Sequence, residues 1–315
     1  MSHAIITGGS SGIGLALVRR IAGDGRRVTV LALDDEDLDA LAYQVEERSW
    51  PVRLEAVDVT DRGAVEDAVE RAGAHHGPCD LLITCAGIVR PGRFLELPPE
   101  EFERQLSVNY LGTLWVARAV AATMVQRGTG SIAMVSSFAG VLGVYGYSAY
   151  GPSKYAVRGL AEVLRTELKP HGVHVACVFP TDVATPMLAA EEALKPPELR
   201  ALSANAATLG PEEVADAILR GVARRRAWIL CDHRSTLLAR LAGTAPALAR
   251  WVVDRTVARA ANNRVPSRRE TVARSVAEAP TTSVSPATSR ADSSSVAPGA
   301  HRDQRGCHGK TAGPP

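Results

Sequence analysis

The residues of this sequence with the clearest chemical potential are Tyr150 and Lys154. Of the six tyrosines, only Tyr150 is followed by a lysine four positions later. Residues spaced i and i+4 share one face of a helix, so the phenol and the ammonium can point into one site. Pro152 is compatible with a helix that begins just before it, because the first turn needs no N–H donor there. An ammonium beside a phenol lowers its pKa from about 10 and lets it exchange a proton near neutral pH.

Two polar residues can join that pair at one site. Ser137 ends an apolar run 13 residues before the tyrosine, and its hydroxyl can donate to the same substrate oxygen. Ser136 is the weaker candidate for this role. Asn109 lies inside the helical stretch 102–125, where it either binds a backbone carbonyl or a water near the lysine, or is simply a polar residue in a helix kink. A Tyr-x3-Lys spacing alone is a weak signal, and these groups strengthen it.

A glycine-rich turn joins the first predicted strand to the first helix. Glycine allows a tight turn and a close approach of backbone to a pyrophosphate, and the N–H groups at a helix N-terminus favour that anion. The spacing is GxxxGxG rather than GxGxxG, and an ordinary strand–helix connection is the alternative. Its position at the first β–α junction favours dinucleotide binding. The candidate cofactor-binding residues in this turn are Gly8, Ser10, Ser11, Gly12, Ile13 and Gly14.

Further candidates for the same cofactor follow later strands. Asp58, just before Val59, ends the third strand. Its carboxylate can accept a hydrogen bond from an adenine amine, and a cap on the helix that follows Asp61 is an equal alternative. Ala86 and Gly87 follow the fourth strand, where small residues let the backbone pass close to the cofactor ribose.

Short β-branched runs alternate with longer amphipathic stretches over the first 230 residues. This alternation predicts an α/β fold, in which a Rossmann-type, doubly wound parallel sheet of about seven strands lies between two helical layers. The carboxyl ends of parallel strands share one edge, so the polar residues above would meet there. The predicted strands are Ala4–Thr7, Arg27–Leu33, Val52–Val57, Leu81–Thr84, Ser131–Val135, Val173–Phe179 and Ala227–Leu230.

The chain divides into three predicted parts: a dinucleotide-binding catalytic domain over 1–233, a helical arm over 234–263 and a disordered tail over 264–315. Pro246 divides the arm into two helices. Arginines interleave with apolar residues over 235–261, which fits either packing on the sheet or a helix at a membrane surface, and packing is favoured. The tail has no Leu, Ile, Met or aromatic residue, so it cannot bury enough apolar surface to offset its conformational entropy.

Composition narrows the classes of protein that the chain can be. Hydrophobic residues make up 46%, and the net charge of +2 predicts no nucleic-acid partner. The five cysteines show no CxxC pairing and no metal-ligand spacing, which is typical of reduced thiols in a cytoplasmic protein. No basic leader with an apolar run is present, and the longest uncharged stretch, 128–153, is too rich in Gly, Ser and Tyr to span a membrane. We expect a cytoplasmic protein, peripheral at a membrane if the arm binds one.

Taken together, the glycine turn, the Cys-Ala-Gly run after strand four and the polar set described above resemble the short-chain dehydrogenase/reductase family over 1–230. The resemblance implies a nicotinamide cofactor and a catalytic set of Asn109, Ser137, Tyr150 and Lys154. In that scheme the tyrosine transfers the proton and the serine polarises the carbonyl. The lysine lowers the tyrosine pKa and holds the cofactor ribose, while the asparagine supports a water relay.

The resemblance also extends to details beyond the catalytic set. Val183 and Thr185 match positions beside the cofactor, with Thr185 on the nicotinamide amide. Thr84 stands where the family usually has Asn, which would loosen the turn after strand four. Residues 135–162 are similar to 3-ketodihydrosphingosine reductases, which reduce the 3-keto group of a long-chain sphingoid base. This likeness implies an amphiphilic ketone or alcohol as substrate.

The charge after strand two bears on the choice between NAD and NADP. Sphingoid-base reductases carry an Arg there for the 2′-phosphate, whereas this sequence has Leu33 followed by four acidic residues, 34–37. Ser11 in the glycine turn is not basic either. A phosphate of about −2 charge beside four carboxylates is unfavourable. Asp34 can instead bind the ribose hydroxyls of NAD, or cap the next helix. NAD is therefore slightly favoured, and the direction of the reaction stays open.

Residues 182–210 lie where the family places a substrate lid, and Pro196-Pro197 interrupt it. An apolar lid over a polar centre suits a lipid-like, steroid-like or retinoid-like substrate, although most of its apolar residues are expected to pack on the sheet. The alternatives are a steroid- or retinol-type dehydrogenase and a non-catalytic dinucleotide sensor. The family also implies a homodimer or homotetramer through the helices around Asn109 and Tyr150. The apolar lid residues are Met187, Leu188, Leu194, Leu199, Leu202 and Leu209.

Overall fold

A computed structural model describes residues 2–204 and 208–262. Seven parallel strands form one sheet in the order β3-β2-β1-β4-β5-β6-β7. The chain reverses its direction of winding between β1 and β4, which lie side by side at the centre. The strands are β1 (His3–Thr7), β2 (Arg27–Ala32), β3 (Val52–Ala56), β4 (Cys79–Thr84), β5 (Gly130–Val135), β6 (Val173–Phe179) and β7 (Trp228–Leu230).

The predicted α/β fold is confirmed, with each predicted strand present and its ends within two residues of the expected ones. The central strands are largely buried and mostly apolar because both faces of the sheet are covered. All seven residues of β6 and all five of β1 are buried, as expected for parallel strands between two helical layers. The predicted end of β2 at Leu33 is one residue too long, since Leu33 is already 56% exposed.

Eleven α-helices lie in the described part of the chain, most of them as crossovers between the strands. They are α1 (Gly12–Gly23), α2 (Glu36–Arg48), α3 (Arg62–His76), α4 (Pro99–Leu106), α5 (Gly112–Arg127), α6 (Tyr150–Leu168), α7 (Pro186–Leu194), α8 (Pro197–Ser203), α9 (Pro211–Ala223), α10 (His233–Thr244) and α11 (Pro246–Asn262). One π-helical turn, Ser107–Leu111, separates α4 from α5.

Two hydrophobic cores hold these layers on opposite faces of the sheet. Helices α1, α2 and α9 contribute buried residues such as Leu17, Leu41 and Ile218 to one face. Helices α3, α5 and α6 contribute residues such as Val120 and Val157 to the other. Burial of this kind stabilises a fold by roughly 25 cal/mol per Å² of apolar surface, and it fixes the helix N-termini over the carboxyl edge of the sheet.

The C-terminal arm contains two helices that meet at Pro246. Helix α10 contacts β7 and α11, and α11 packs against α8. The arm therefore touches the region where the substrate lid is predicted as well as the end of the sheet. No helix among residues 2–204 and 208–262 combines the length and apolarity needed to cross a bilayer. The prediction for the tail, 264–315, lies outside the described residues.

Candidate active site

Helix α6 places Tyr150 and Lys154 on one face at the carboxyl edge of the sheet. The helix begins at Tyr150, with Pro152 in its first turn. Lys154 is 5% exposed, and its Nζ donates a hydrogen bond to the Val135 carbonyl oxygen at 3.2 Å. The same Nζ lies 5.7 Å from the centroid of the Tyr150 ring. A backbone carbonyl at the end of β5 thus orients the ammonium toward the tyrosine.

The protonation of this pair is governed by burial. Burial raises the pKa of the Tyr150 phenol above its ordinary value; the Ser137 hydroxyl opposes this shift, while the carboxylates of Glu191 and Asp182 add to it. Burial also lowers the pKa of Lys154 to about 8. The expected lowering of the tyrosine pKa by Lys154 is not seen, because desolvation of the phenol, with the nearby carboxylates, outweighs the hydrogen bond from Ser137.

The two serines at the end of β5 have different roles. Ser136 is buried, and its Oγ donates to the backbone carbonyl of Lys154 at 2.8 Å, which ties β5 to α6. Ser137 is only partly buried and lines the same cavity as Tyr150. Its Oγ accepts a hydrogen bond from the N–H of Ala139 at 3.1 Å. Ser137, rather than Ser136, is therefore the hydroxyl placed to meet a substrate.

Asn109 is fully buried in the π-helical turn between α4 and α5. Its Oδ1 accepts from the N–H of Ile88 at 2.8 Å, and its Nδ2 donates to the Ile88 carbonyl at 3.0 Å. Nδ2 also donates to the Ser153 hydroxyl at 2.9 Å. Asn109 thus fits both interpretations. It lies at an irregularity in the helix, and it binds the backbone carbonyl of Ile88. A π-turn inside an α-helix is frequently found at a functional site.

The glycine turn is closely packed against the loop after β4. A Cβ at Gly8, whose φ is +63°, would lie 2.8 Å from the Ala86 Cα. A Cβ at Gly14 would lie 2.0 Å from the Gly8 carbonyl oxygen. Ser11, in the N-cap position of α1, makes no capping bond, which leaves first-turn N–H groups for an anion. The turn therefore fits a dinucleotide, with the pyrophosphate at the start of α1.

The loop after β4 is held by a hydroxyl from the neighbouring strand. Thr7 Oγ1 accepts hydrogen bonds from the N–H groups of Cys85 and Ala86, both at 3.0 Å. The Thr84 hydroxyl is buried without a partner among the described residues. The loosening expected from Thr84 stays a prediction, and Thr7 on the neighbouring strand is the residue that ties this loop. A Cβ at Gly87 would lie 3.3 Å from Lys154 Nζ, so this backbone passes beside the lysine.

Two predicted cofactor residues, Val183 and Thr185, follow β6 on the same edge. Val183 is 8% exposed and lines the cavity. Thr185 caps α7, its Oγ1 accepting from the N–H of Leu188 at 3.4 Å. A Cβ at Gly12 would lie 3.0 Å from the Thr185 Cγ2. Thr185 therefore packs directly against the glycine turn at Gly12, next to Ile13, which also lines the cavity.

The two acidic candidates for cofactor binding, Asp58 and Asp34, are exposed at the protein surface. Asp58 is exposed, and its Oδ1 accepts from the N–H and hydroxyl of Thr60, while Asp61 caps α3. A cap by Asp58 is thereby ruled out, and Val59 behind it is buried. Asp35, and not Asp34, caps α2 by accepting from the N–H of Leu38 at 3.1 Å. The alternative of Asp34 as the cap is wrong, which leaves its exposed carboxylate for another role.

A cavity of about 480 Å³ opens beside Tyr150 and Ser137. Helices α7 and α8 cover it, separated at Pro196 and Pro197 as expected. Four of the six apolar lid residues line it, namely Met187, Leu188, Leu199 and Leu202. The expectation that most of them pack on the sheet is therefore wrong: Leu209 packs against the core and Leu194 is half-exposed. The arm adds Leu238, Val252, Val253 and Thr256 to the cavity wall.

Three polar residues of this cavity were not singled out in the sequence. Tyr147 is 9% exposed, and its ring meets the Tyr150 ring edge-on with centroids 5.1 Å apart. Its hydroxyl donates to Glu191, which is 7% exposed on α7. Asp182 lies in the same wall. The spacing of three residues between the tyrosines was the one available signal, because the carboxylates arrive from a distant segment.

Comparison with known proteins gives a consistent result. The family model for short chain dehydrogenase matches residues 2–195. A 3-ketodihydrosphingosine reductase of Bos taurus is 40% identical over 224 residues, covering 70% of this chain and 68% of that protein.

Two solved structures share the fold across most of their length. A short-chain dehydrogenase from Sphingobium yanoikuyae in complex with NADPH is 30% identical, with a TM-score of 0.67 over 79% of this chain and 95% of that one. A short chain dehydrogenase/reductase from Burkholderia phymatum in complex with NAD is 26% identical, with a TM-score of 0.70 over 78% and 94%.

The packing of the glycine turn predicts the effect of adding one methyl group. Gly14→Ala should destabilise the fold by about 1–3 kcal/mol, because the new Cβ overlaps the Gly8 carbonyl. It should also weaken NADH binding more than tenfold, measured by fluorescence titration. Gly23→Ala at the other end of α1 meets nothing within 4 Å and should leave binding unchanged. Equal binding by both variants would show that the turn does not hold the dinucleotide.

Proposed function

The chain belongs to the short-chain dehydrogenase family, and from that premise we propose that it reduces the 3-keto group of a long-chain sphingoid base. Membership makes it an NAD(P)-dependent oxidoreductase. The observation that carries the substrate assignment is the cavity, in which one polar end beside Tyr150 meets extended apolar walls. That division suits a ketone with a polar head and a hydrocarbon tail.

The proposal gives each of four side chains one task. Tyr150 donates a proton to the substrate oxygen, and Ser137 donates a hydrogen bond to the same oxygen. Lys154 lies beside Gly87, where its ammonium can hold the cofactor ribose. Asn109 anchors the loop after β4 to α6 through Ile88 and Ser153. A bound nicotinamide would supply the hydride.

The protonation of the tyrosine supports the reductive direction. A reduction needs an acid that gives a proton to the developing alkoxide, whereas an oxidation needs the phenolate. Because burial raises the pKa of Tyr150, the phenol is protonated at neutral pH. The protonated phenol is the form that a reduction uses.

Removal of the phenol hydroxyl tests this mechanism. Tyr150→Phe should lower kcat for 3-ketosphinganine by about 10²–10⁴, the usual contribution of a general acid, with little change in NADH or NADPH affinity. Tyr155→Phe is the matched control, because Tyr155 directly follows Lys154 on the same helix and is 40% exposed. It should retain activity, followed as absorbance of the reduced cofactor. Normal turnover by Tyr150→Phe would disprove the assigned acid, and no turnover by the wild type would favour a sensor.

We propose NAD as the preferred cofactor. The similar solved structures hold either NADPH or NAD, so the choice rests on this chain's own residues. Leu33 and the carboxylates of residues 34–37 are exposed just after β2, the strand that precedes the adenine side of the site in this fold. Negative charge there repels a 2′-phosphate, while Asp34, which does not cap α2, can accept hydrogen bonds from ribose hydroxyls.

One added cation should reverse this preference. We expect NADH to bind wild-type protein about tenfold more tightly than NADPH, a difference of about 1.4 kcal/mol. Leu33→Arg should remove or invert the difference by pairing with the 2′-phosphate. Tyr43→Arg adds the same charge on the exposed face of α2, where Tyr43 is 75% exposed, and should change the ratio little. A wild-type preference for NADPH in these titrations would contradict the proposal.

We also propose that the arm rests on an anionic membrane surface. Leu237, Leu248 and Trp251 are 49–69% exposed on α10 and α11. These helices carry five arginines and one aspartate, all exposed. The half-exposed Leu238 and Val252 also line the cavity, so its mouth lies on this surface. An apolar face flanked by arginines suits a bilayer with negative headgroups.

Charge reversal on the arm tests the membrane proposal. The double variant Arg250→Glu/Arg255→Glu should bind vesicles of phosphatidylcholine with phosphatidylserine at least tenfold more weakly in co-sedimentation, because each basic residue near such a surface contributes about 1 kcal/mol. Arg19→Glu/Lys169→Glu makes the same change of charge elsewhere on the exposed surface and should bind as wild type does. Equal losses in both variants, or binding that ignores phosphatidylserine, would refute the arm as the contact.

A further inference from the structure

Two carboxylates line the cavity close to the reacting phenol. Glu191 projects from α7 and Asp182 lies in the loop after β6. Glu191 is 7% exposed, although acidic side chains are rarely buried unless they are paired. The only other charged residue among those lining the cavity in the described part of the chain is Lys154, which the reaction already uses.

Glu191 is held in one position by two neighbours. Its Oε1 accepts a hydrogen bond from the Tyr147 hydroxyl and lies 3.6 Å from Lys195 Nζ. Lys195 is shared, since its Nζ also lies 2.9 Å from Glu192 and 3.7 Å from Asp182. The side chain of this lysine is 1% exposed and stands behind the cavity wall. The single ammonium of Lys195 therefore forms ion pairs with three carboxylates.

This group of charges keeps an excess of negative charge. Arg200 adds a second cation, 3.8 Å from Glu192, but its side chain is 52% exposed, where water screens the pair. Counted without Lys154, the three carboxylates against these two cations leave a net charge of −1. The two carboxylates that face the cavity, Glu191 and Asp182, are the ones whose charge reaches the phenol, and both raise the pKa of Tyr150.

The negative charge conflicts with the reaction unless the substrate offsets it. Hydride addition to a ketone develops negative charge on the carbonyl oxygen, which Ser137 and Tyr150 must stabilise. A carboxylate in the same pocket opposes that charge. A cation on the substrate, next to the carbonyl, would remove the conflict and pair with the carboxylate.

A second, independent observation indicates that this wall takes a polar group. The hydroxyl of Thr181 is shielded from solvent and has no hydrogen-bond partner among the described residues. Thr181 lies next to Asp182 and lines the same cavity. A buried hydroxyl without a partner costs free energy, so a hydrogen-bonding ligand group is expected beside it.

We propose that Glu191, supported by Asp182, binds the ammonium on the carbon next to the substrate carbonyl and so selects amino ketones over neutral ketones. The inference rests on the proposed function, because a 3-keto sphingoid base carries its amino group at that carbon. Thr181 then faces the polar end of the same molecule. Glu191 determines specificity, and Tyr147 and Lys195 position it.

The test compares two ketones of equal chain length, 3-ketosphinganine and the analogue that lacks the amino group. Glu191→Gln keeps the shape and an acceptor for Tyr147 but removes the charge. We expect kcat/KM for the amino ketone to fall about tenfold to hundredfold, mostly through KM, as for loss of a charge-assisted hydrogen bond. For the neutral ketone kcat/KM should rise, because the carboxylate no longer opposes the alkoxide.

Glu192→Gln is the matched control. Glu192 lies on the same helix, contacts the same lysine and is 55% exposed outside the cavity wall. Its removal should leave the ratio of the two kcat/KM values within twofold of wild type. Asp182→Asn should lower the ratio in the same direction as Glu191→Gln but by less, which covers the case in which the first variant folds poorly.

Different failures of this test have different meanings. An equal loss on both ketones, or no change in their ratio, would overturn the role of Glu191. If wild-type protein reduces neither ketone, the proposed function fails, and binding then decides the inference. Titration of wild type and Glu191→Gln with sphinganine and octadecanol, followed by tryptophan fluorescence, should show a loss of affinity for the amine alone. Unchanged affinity for sphinganine would reject the carboxylate as an amine site.

Discussion

The amide of Asn109 connects three separate elements, and the geometry of the catalytic edge depends on it. Its oxygen and nitrogen bind both backbone groups of Ile88, and the nitrogen also reaches Ser153 on α6. These bonds hold the loop after β4 against the first turn of α6, where Lys154 is buried. Asn109 makes these bonds from the π-helical turn Ser107–Leu111. The π-helical turn therefore carries the residue that joins the loop after β4 to α6.

Much of the fold could be predicted because parallel strands buried on both faces are mostly apolar, and all seven predicted strands are present. The site was less predictable wherever the role of a residue depends on its tertiary contacts. Four acidic residues follow β2, and sequence alone does not distinguish the cap, Asp35, from Asp34. Spacing brings Tyr150 near Lys154 but does not show how deeply the phenol is buried, and burial reverses the expected direction of its pKa. The hydrogen bonds that hold the loop after β4 come from Thr7 on a different strand, and the sequence around Thr84 does not indicate them.

The substrate lid is a second case in which the sequence does not indicate the tertiary contacts. The family resemblance places a lid with an apolar face at 182–210 but does not indicate what that face contacts. In the structure, four of its apolar residues face the cavity, and α11 closes on α8 from outside. A helix that covers a cavity and one that packs on a sheet need the same residue types, since both remove apolar surface from water. Only the position of the arm distinguishes them, and the arm comes from a segment about fifty residues later.

The arm and the lid together divide the cavity by polarity. Tyr150, Ser137, Asp182 and Glu191 give the cavity its polar groups, and Leu238 and Val252 add apolar surface while remaining half-exposed. A lipid tail entering between these side chains would replace contacts that the arm otherwise makes with water. Substrate binding and contact with a bilayer would then use the same residues, so the two would be thermodynamically linked. A water-soluble ketone could not gain from this arrangement, which argues that the position of the arm is itself part of substrate selection.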